Sequence, residues 1–535
     1  MLPHPALRGA FRSDLRARAA YSEGAGIYRI IPEAVARPAD VEDLKQLISW
    51  AAQRRISLIP RGAGSAMAGG NVGEGVVVDL TGLSSPFHID PATCRATTGA
   101  AVTLAQLNTA AAGHGLRLPP DPSSGRWATL GGMVSTNAAG ARSVRYGSVR
   151  RWVQALRLLS ADGEELLLRR GELAADSDGA ALSRLNRDVV PRIHAAADLI
   201  ASRYPKTRKN SSGYALDAYL ASGDIVDLVI GAEGTLGIVT EIEWRLDPVP
   251  PFRAGLRVHL ASLDRLSDVV GALRAGTPGG FSEAFVPEAI LLVELERSDP
   301  EVLRQVLASV SAAIEHWTVS LETAYSPPEA ERLWAIRHAA SPILAALPED
   351  RRSLQIIEDA CVPVPHMGEY IRAVRRLAAE RGLPVVMFGH AGDGHIHVNL
   401  LPDPAAAGWQ QEVAGLLEEV TAVVIDLGGT PSGEHGDGRL RAGTLRNLYG
   451  PEIMDLFGEV KRAFDPLGIF NPGIILPSGE PPISRLKVGA GAVKIPADVQ
   501  LRLRHIEQTG GYARDRMELA GEESHESRVT SREEG

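Results

Sequence analysis

Four of the chain's 14 histidines fall between residues 390 and 435, where carboxylates also gather at Asp393 and Glu434. Gly389-His390-Ala-Gly-Asp-Gly394 runs straight into His395-Ile-His397-Val-Asn399, and Ser432-Gly-Glu434-His435-Gly-Asp-Gly438 follows. Alternation along a strand puts His395, His397 and Asn399 on one face, and the glycine turn can bring His390 back beside His397. Two imidazoles and one carboxylate, with coordination positions left open, suit Zn²⁺ or Mn²⁺ acting as a Lewis acid. His395 is expected to make ordinary hydrogen bonds in a turn-rich hairpin.

A second kind of chemistry lies in the glycine clusters. Arg61-Gly-Ala-Gly-Ser-Ala-Met-Ala-Gly-Gly70 follows a short strand pattern, and glycines at 62, 64, 69 and 70 let backbone amides approach an anion closely. A pyrophosphate is the obvious candidate. Two further clusters, Gly131 to Gly140 and Gly231 to Thr240, occur within the first 250 residues. None fits Gly-x-Gly-x-x-Gly: Met67 and Arg441 stand where the third glycine would be, which argues against a built-in nicotinamide cofactor.

Composition removes other mechanisms. None of the six lysines follows a glycine, so a phosphate loop ending in Gly-Lys-Ser/Thr is absent. The two cysteines, Cys94 and Cys361, cannot ligate an iron–sulfur cluster. A net charge of −9 with scattered basic residues disfavours nucleic acid. No apolar run is long enough to span a bilayer, and the Arg-rich N-terminus is no secretory signal. Cytoplasmic residence is the expectation, with peripheral membrane association open.

These motifs need elements to hold them. Asp40 followed by apolar Val41, Leu44, Leu47, Ile48 and Ala51 predicts a helix, then a strand at 56–60, the first glycine loop and a strand at 76–80. Past Pro248-Val-Pro-Pro251 the pattern becomes strand, helix, strand, helix. A domain boundary is therefore expected near 250. After Pro477 the chain turns polar, with a faint helical face at Val499, Leu503 and Ile506; residues 478–535 are expected to be a mobile tail whose removal costs little.

Taken together, Pro60-Arg-Gly-Ala-Gly-Ser65, Pro119-Pro-Asp-Pro-Ser-Ser124, Gly131-Gly-Met-Val-Ser-Thr-Asn-Ala-Ala-Gly140 with Arg145-Tyr-Gly147, and Gly231-Ala-Glu-Gly-Thr-Leu-Gly-Ile-Val-Thr240 resemble the FAD-binding domain of the vanillyl-alcohol-oxidase (PCMH) type. With the histidine motifs, the likeness covers about residues 20 to 477 and points to the D-lactate, glycolate and D-2-hydroxyglutarate dehydrogenase branch. It implies an α+β fold of two domains. Residues 1–250 would be the PCMH-type FAD-binding domain, and 251–477 the FAD-linked oxidase C-terminal domain, a ferredoxin-like cap for substrate and metal.

The resemblance also implies roles. Pro60, Arg61, Gly62, Ala63, Gly64, Ser65, Gly69 and Gly70 would wrap the FAD pyrophosphate. Pro120, Asp121 and Ser124, then Gly131, Gly132, Ser135 and Asn137 with Tyr146 and Gly147, would line the cofactor. Glu233, Gly237, Ile238, Val239 and Asn471 complete that set. Relatives with covalent FAD carry a histidine where this chain has Ser65, so the FAD is expected to be non-covalent. His390, His397 and Glu434 would bind the metal, and His435 would take the substrate hydroxyl proton, giving an ionisation near neutral pH.

Leu333-Trp-Ala-Ile-Arg337 resembles the family's substrate-binding segment, so Arg337, with Ser341 one turn later and Asn399, would bind the hydroxy acid. Where D-2-hydroxyglutarate enzymes carry a lysine, this chain has Ile357, which favours a monocarboxylic substrate. The expected activity is oxidation of a small D-2-hydroxy acid to the 2-oxo acid. Electrons would leave to a quinone, a cytochrome, an electron-transfer flavoprotein or a partner subunit, and a homodimer is compatible with the chain. A flavin-free metallohydrolase and a non-catalytic nucleotide-binding regulator are the alternatives.

Overall fold

The computed structural model describes residues 4–173, 175–260, 262, 266–276, 282–285, 290–348, 351–512 and 515–521. The local sequence rules are visible in the first long helix, Val41–Arg54. Asp40 caps it by accepting from the Asp43 N–H at 3.0 Å, Glu42 and Asp43 face its positive end, and Arg55 closes it with a left-handed φ of 54°. Its apolar stripe, Leu44, Leu47, Ile48 and Ala51, is fully buried. Each large side chain there contributes roughly 1.5–3 kcal/mol.

That stripe packs on a four-stranded sheet in the order Ala10–Arg12, Ala34–Arg37, Val76–Asp79, Leu58–Arg61, in which the last three strands run parallel. The first glycine loop leaves the carboxyl end of Leu58–Arg61, the end at which open parallel sheets bind ligands. A separate five-stranded antiparallel sheet follows, ordered Phe87–Asp90, Arg95–Gly99, Ile238–Arg245, Val153–Leu159, Glu165–Arg169. The crevice between the two sheets is where the three glycine clusters meet.

The second unit is built on a seven-stranded antiparallel sheet running from Thr318–Ala324 through Phe252–Leu260 and Ile290–Arg297 to the hairpin Val385–His390 and His395–Leu400. Helices Leu266–Gly276, Pro300–Ile314, Met367–Glu380 and Trp409–Asp426 cover it. This is the mixed helix and sheet architecture expected.

Two stretches depart from the linear division at 250 and 477. Helix Pro451–Phe464 buries Ile453, Phe457, Val460 and Phe464 in the core of the five-stranded sheet, against Leu182, Leu185 and Tyr214. Ile469 and Phe470 join Leu44 and Leu58 in the first sheet's core, and the Asn471 N–H donates to the Leu58 carbonyl at 2.9 Å. The chain thus returns to its first unit after building the second.

The segment expected to be a mobile tail is packed over its described part. The helix Ala497–Thr509 buries Val499, Leu503 and Ile506 against Ala17, Tyr21 and Val35. Lys487 and Arg352 both reach Glu507, the former at 3.1 Å. The polar composition misled because its charges are spent on buried ion pairs, and three apolar residues at helical spacing suffice once a cleft receives them. Residues 522–535 lie outside the described residues.

Candidate active site

The hairpin brings the histidines together by register. His390 pairs with His395 and Phe388 with His397 across the two strands, and Gly394 turns the chain at φ +75°, where a Cβ would lie 1.9 Å from the Val362 carbonyl oxygen. His390 Nε2 and His397 Nε2 are 3.4 Å apart, and Glu434 Oε1 lies 3.3 Å from the first and 3.6 Å from the second. A tetrahedral ion with ligands at about 2.0–2.2 Å has donor–donor edges of about 3.3–3.6 Å. The three donors therefore fit a divalent ion.

Their surroundings keep them in ligating form. His397 Nδ1–H donates to the Glu358 carbonyl at 2.7 Å, which turns the Nε2 lone pair inward, and burial pushes its proton affinity down. Glu434 Oε2 accepts from Lys209 Nζ at 3.0 Å and from the Gly140 N–H at 2.9 Å. Burial alone would raise the Glu434 carboxyl, but Lys209 and His390 hold it well below the usual range. His395 stays out of the ligand set: Nε2–H donates to Asp359 at 2.9 Å and Nδ1 accepts from Lys209 at 3.3 Å. Burial and that ammonium push it down to about 3, so the ring is neutral with both nitrogens engaged in hydrogen bonds.

His435 stands beside this group. Its ring stacks on His397 at 5.2 Å, its Nε2 is 3.6 Å from Glu434 Oε1, and its Nδ1 is 2.6 Å from Glu358 Oε2. Burial would lower its proton affinity, but the carboxylates of Asp359 and Glu358 overcome this and raise it to about 10. Two buried carboxylates facing one imidazole are the physical cause of that rise. Asp359 also gathers the loop, accepting from Ser432 Oγ at 2.6 Å and the His435 N–H at 2.8 Å. Glu358 is neutralised by buried Arg441, Nη2 to Oε1 at 2.6 Å.

Lys209, Glu358 and Arg441 are the residues that sequence reasoning missed. Glu358 sits directly before Asp359, and Lys209 is one of only six lysines in the chain, but neither carries a local motif. Asn399, predicted to meet substrate, is buried and accepts from Ser353 Oγ at 3.2 Å. Arg337 and Ser341 fall in helix Pro327–Ala345, and their side chains lie outside the described residues.

The crevice between the sheets holds a cleft of about 1250 Å³, open solvent at its mouth included. The whole first loop from Pro60 to Ser65 lines it, with Gly70 and Ser124. Gly131, Gly132 and Ser135 form another wall, and Glu233, Gly237, Ile238 and Val239 a third. Glu434 and His435 also line the cleft. Gly62 is required there, since a Cβ would come within 2.2 Å of Thr129 Oγ1.

Other predicted cofactor residues hold the walls from behind. Asn471 Nδ2 donates to the Gly70 and Glu233 carbonyls, both at 2.8 Å, and ties the first loop to the third cluster. Gly69 packs on the Tyr28 ring, Asp121 accepts from the Arg142 N–H at 3.0 Å, and Asn137 closes helix Leu130–Thr136 at φ +52°. The Tyr146 hydroxyl is taken by Glu296 of the second unit at 2.5 Å, in a buried group with Arg117. Pro120 is buried, and Gly147 ends the short helix Ser143–Tyr146; neither lines the cleft.

Comparisons agree with this anatomy. The FAD binding domain family matches residues 32–169, and the C-terminal domain of FAD linked oxidases matches 267–475. A D-lactate dehydrogenase of Archaeoglobus fulgidus is 29% identical, over 83% of this chain and 91% of its own. The glycolate oxidase subunit GlcD of Bacillus subtilis is 28% identical over 83% and 89%. A D-2-hydroxyglutarate dehydrogenase of Escherichia coli is 28% identical over 84% of this chain and 49% of its own. Among solved structures, 4-ethylphenol oxidase from Gulosibacter chungangensis superposes with a TM-score of 0.63 over 88% of this chain and 94% of that one, at 16% identity, a likeness of fold. With both family models matched in order and a glycine-walled cleft in the first unit, the chain belongs to the FAD-linked oxidases, flavoprotein oxidoreductases that join an FAD binding domain to this C-terminal domain.

Proposed function

We propose that the protein oxidises a small D-2-hydroxy acid of the D-lactate or glycolate type to the 2-oxo acid. One observation carries this reading: Glu434 and His435 line the same cleft as the three glycine clusters, so a flavin bound there would share it with the His/Glu group. When bound, FAD supplies the hydride acceptor, and a divalent ion among His390, His397 and Glu434, Zn²⁺ or Mn²⁺ by its donor set, supplies a Lewis acid for the hydroxyl.

The chain's own residues do the rest. His435 takes the hydroxyl proton at Nε2, because its Nδ1–H is committed to Glu358. Glu358 holds the ring and balances the imidazolium that forms, while Arg441 keeps Glu358 ionised. Lys209 aims Glu434 by holding the oxygen turned away from the histidines. Arg337 supplies the cation for the substrate carboxylate, and Ser341 and Asn399 are the further substrate-binding candidates. Ile357 is buried in the apolar core of the second unit and offers no charge to a second carboxylate, which favours a monocarboxylic acid.

The electron acceptor is a separate molecule, a quinone, a cytochrome, a flavoprotein or a partner subunit, since Cys94 and Cys361 cannot hold a cluster. No helix among the described residues is long and apolar enough to cross a membrane. The test is anaerobic flavin bleaching over a panel of hydroxy acids. D-lactate or glycolate should bleach it with a higher kcat/KM than D-2-hydroxyglutarate, and failure of every hydroxy acid would sink the reading.

A further inference from the structure

A second cavity shares part of the first glycine loop with the cofactor cleft, and the C-terminal segment forms part of its wall. It encloses about 1560 Å³, open solvent included, and Gly62, Ala63 and Thr129 line both it and the cofactor cleft. Across from the loop stand Tyr512, Asp515 and Arg516. The two spaces thus have in common the start of the loop expected to wrap a pyrophosphate.

Arg516 is 6% exposed, yet its Nε and Nη1 have no hydrogen-bond partner among the described residues. Each carboxylate near it is already engaged. Asp515 pairs with Arg37 at 2.5 Å, Asp79 accepts from the Tyr21 hydroxyl and from Thr81, and Glu23 pairs with Arg29 at 2.6 Å. The Tyr512 ring, 5.9 Å away, is its main company. Arg61, at the root of the loop, is also buried; it donates to the carbonyls of Tyr21, Glu23 and Asn71 and leaves Nε without a partner. Burial, and next the charge of Arg516, push the Arg61 guanidinium down to about 10. Two buried guanidiniums that repel one another and spare N–H groups form an arrangement that costs several kcal/mol unless an anion joins them.

We propose that Arg516 is a ligand for the diphosphate of FAD, delivered by the C-terminal segment as a strap over the first glycine loop. The strap lies beyond residue 475, where the family match ends. Helix Ala497–Thr509 and the short helix Arg516–Ala520 dock on Leu15–Ala20, which fixes the arginine's approach. A guanidinium adds the bidentate phosphate contact that a ring of backbone amides lacks. The assignment rests on the FAD reading of the cleft.

The test replaces the charge in the full-length chain, with Arg516→Gln and with Arg516→Met, which keeps the length without the charge. Deflavinated protein is titrated with FAD and, separately, with riboflavin, which lacks phosphate. FAD should bind at least 10-fold more weakly to both variants, while riboflavin binding is unchanged. The flavin-free variants should melt at the same temperature as the parent or higher, since an unpaired buried charge is removed; the flavin-loaded variants should release flavin at a lower temperature. Equal FAD affinity, an equal loss for riboflavin, or a destabilised flavin-free variant overturns the proposal. So does Arg516-dependent binding of inorganic pyrophosphate to flavin-loaded parent protein, which would make the cavity a separate anion site. A parent protein that holds no FAD would refute the FAD reading itself.

Discussion

His435 Nδ1 lies 2.6 Å from Glu358 Oε2, and Arg441 sits behind Glu358 at the same distance, so the imidazole is held by a carboxylate that is itself held by a buried cation. The arrangement fixes the tautomer and aims Nε2 at the Glu434 side. With Asp359 also near, the ring keeps its proton up to about 10 in the metal-free protein, and a base must lose it first. A divalent ion beside it opposes the imidazolium and brings that value down. Flavin reduction in the loaded enzyme should therefore rise with pH through an ionisation below about 10. Glu358→Gln removes one of the two charges that raise it, so the limb should move to lower pH while the plateau rate falls by about 10- to 100-fold. An unmoved limb in anaerobic pH profiles would mean that the ionisation belongs elsewhere.

Metal binding and proton transfer should separate within the cluster. Replacing His390, His397 or Glu434 by Ala removes a donor from a three-donor set, and two donors hold a divalent ion poorly, so bound metal and activity should fall together while FAD stays. His435→Asn should retain most metal and flavin and lose about 10² or more in kcat. Metal analysis beside flavin-reduction rates for the four variants checks this. A His390 variant that keeps both metal and rate would show the ligands wrongly assigned.

The purified protein should be yellow and release its flavin into the supernatant on acid precipitation. Ser65, which lines the cleft, offers no nucleophile of the kind that links to a flavin methyl. Colour retained in the washed pellet would count against non-covalent attachment.

The site's legibility divides by distance along the chain. The glycine clusters and the two histidine motifs could be read because each does its work locally: Gly62, Gly131 and Gly237 all line the cleft, and the 390–397 hairpin closes its own register. Lys209, Glu358 and Arg441 could not, because their meaning lies in contacts more than 70 residues away, Lys209 to Glu434, Glu358 to His435 and Arg441 to Glu358. Tyr146 shows a role that its motif did not announce. Its motif pointed to the cofactor, but the hydroxyl serves the contact between the two units through Glu296. The tail was misjudged because pattern strength in one short helix says nothing about a receiving groove made by residues 17–35.

That correction changes what truncation should do. Removing Ser478 to Gly535 strips the cover from Ala17, Tyr21 and Val35, leaves Arg352 without Glu507, and deletes Arg516. The burial of Val499, Leu503 and Ile506, worth roughly 1.5–3 kcal/mol each, is lost with the segment, against a typical total of about 5–15. The truncated chain should be poorly soluble or melt well below the parent, with reduced flavin content. Full flavin and an unchanged Tm would return the segment to the status of a loose extension.

The docking of that segment should also be acid-sensitive through one carboxylate. Burial would raise the Glu507 carboxyl, but Lys487, Arg352 and Arg504 outweigh it and hold it at about 2, against 4.5 ordinarily. A folded-state value below the unfolded one stabilises the protein above the unfolded value. The contribution is then lost as pH falls from about 4.5 to about 2. A shift of that size is worth about 3 kcal/mol. Glu507→Gln removes the charge at every pH, so the variant should be less stable than the parent at pH 7, and the difference should shrink steadily below pH 4.5. Protease cleavage in the 478–512 segment, followed over pH 3 to 7, should begin at higher pH in the variant. A gap between the two proteins that stays constant from pH 7 to pH 3 would mean that Glu507 contributes packing and not charge.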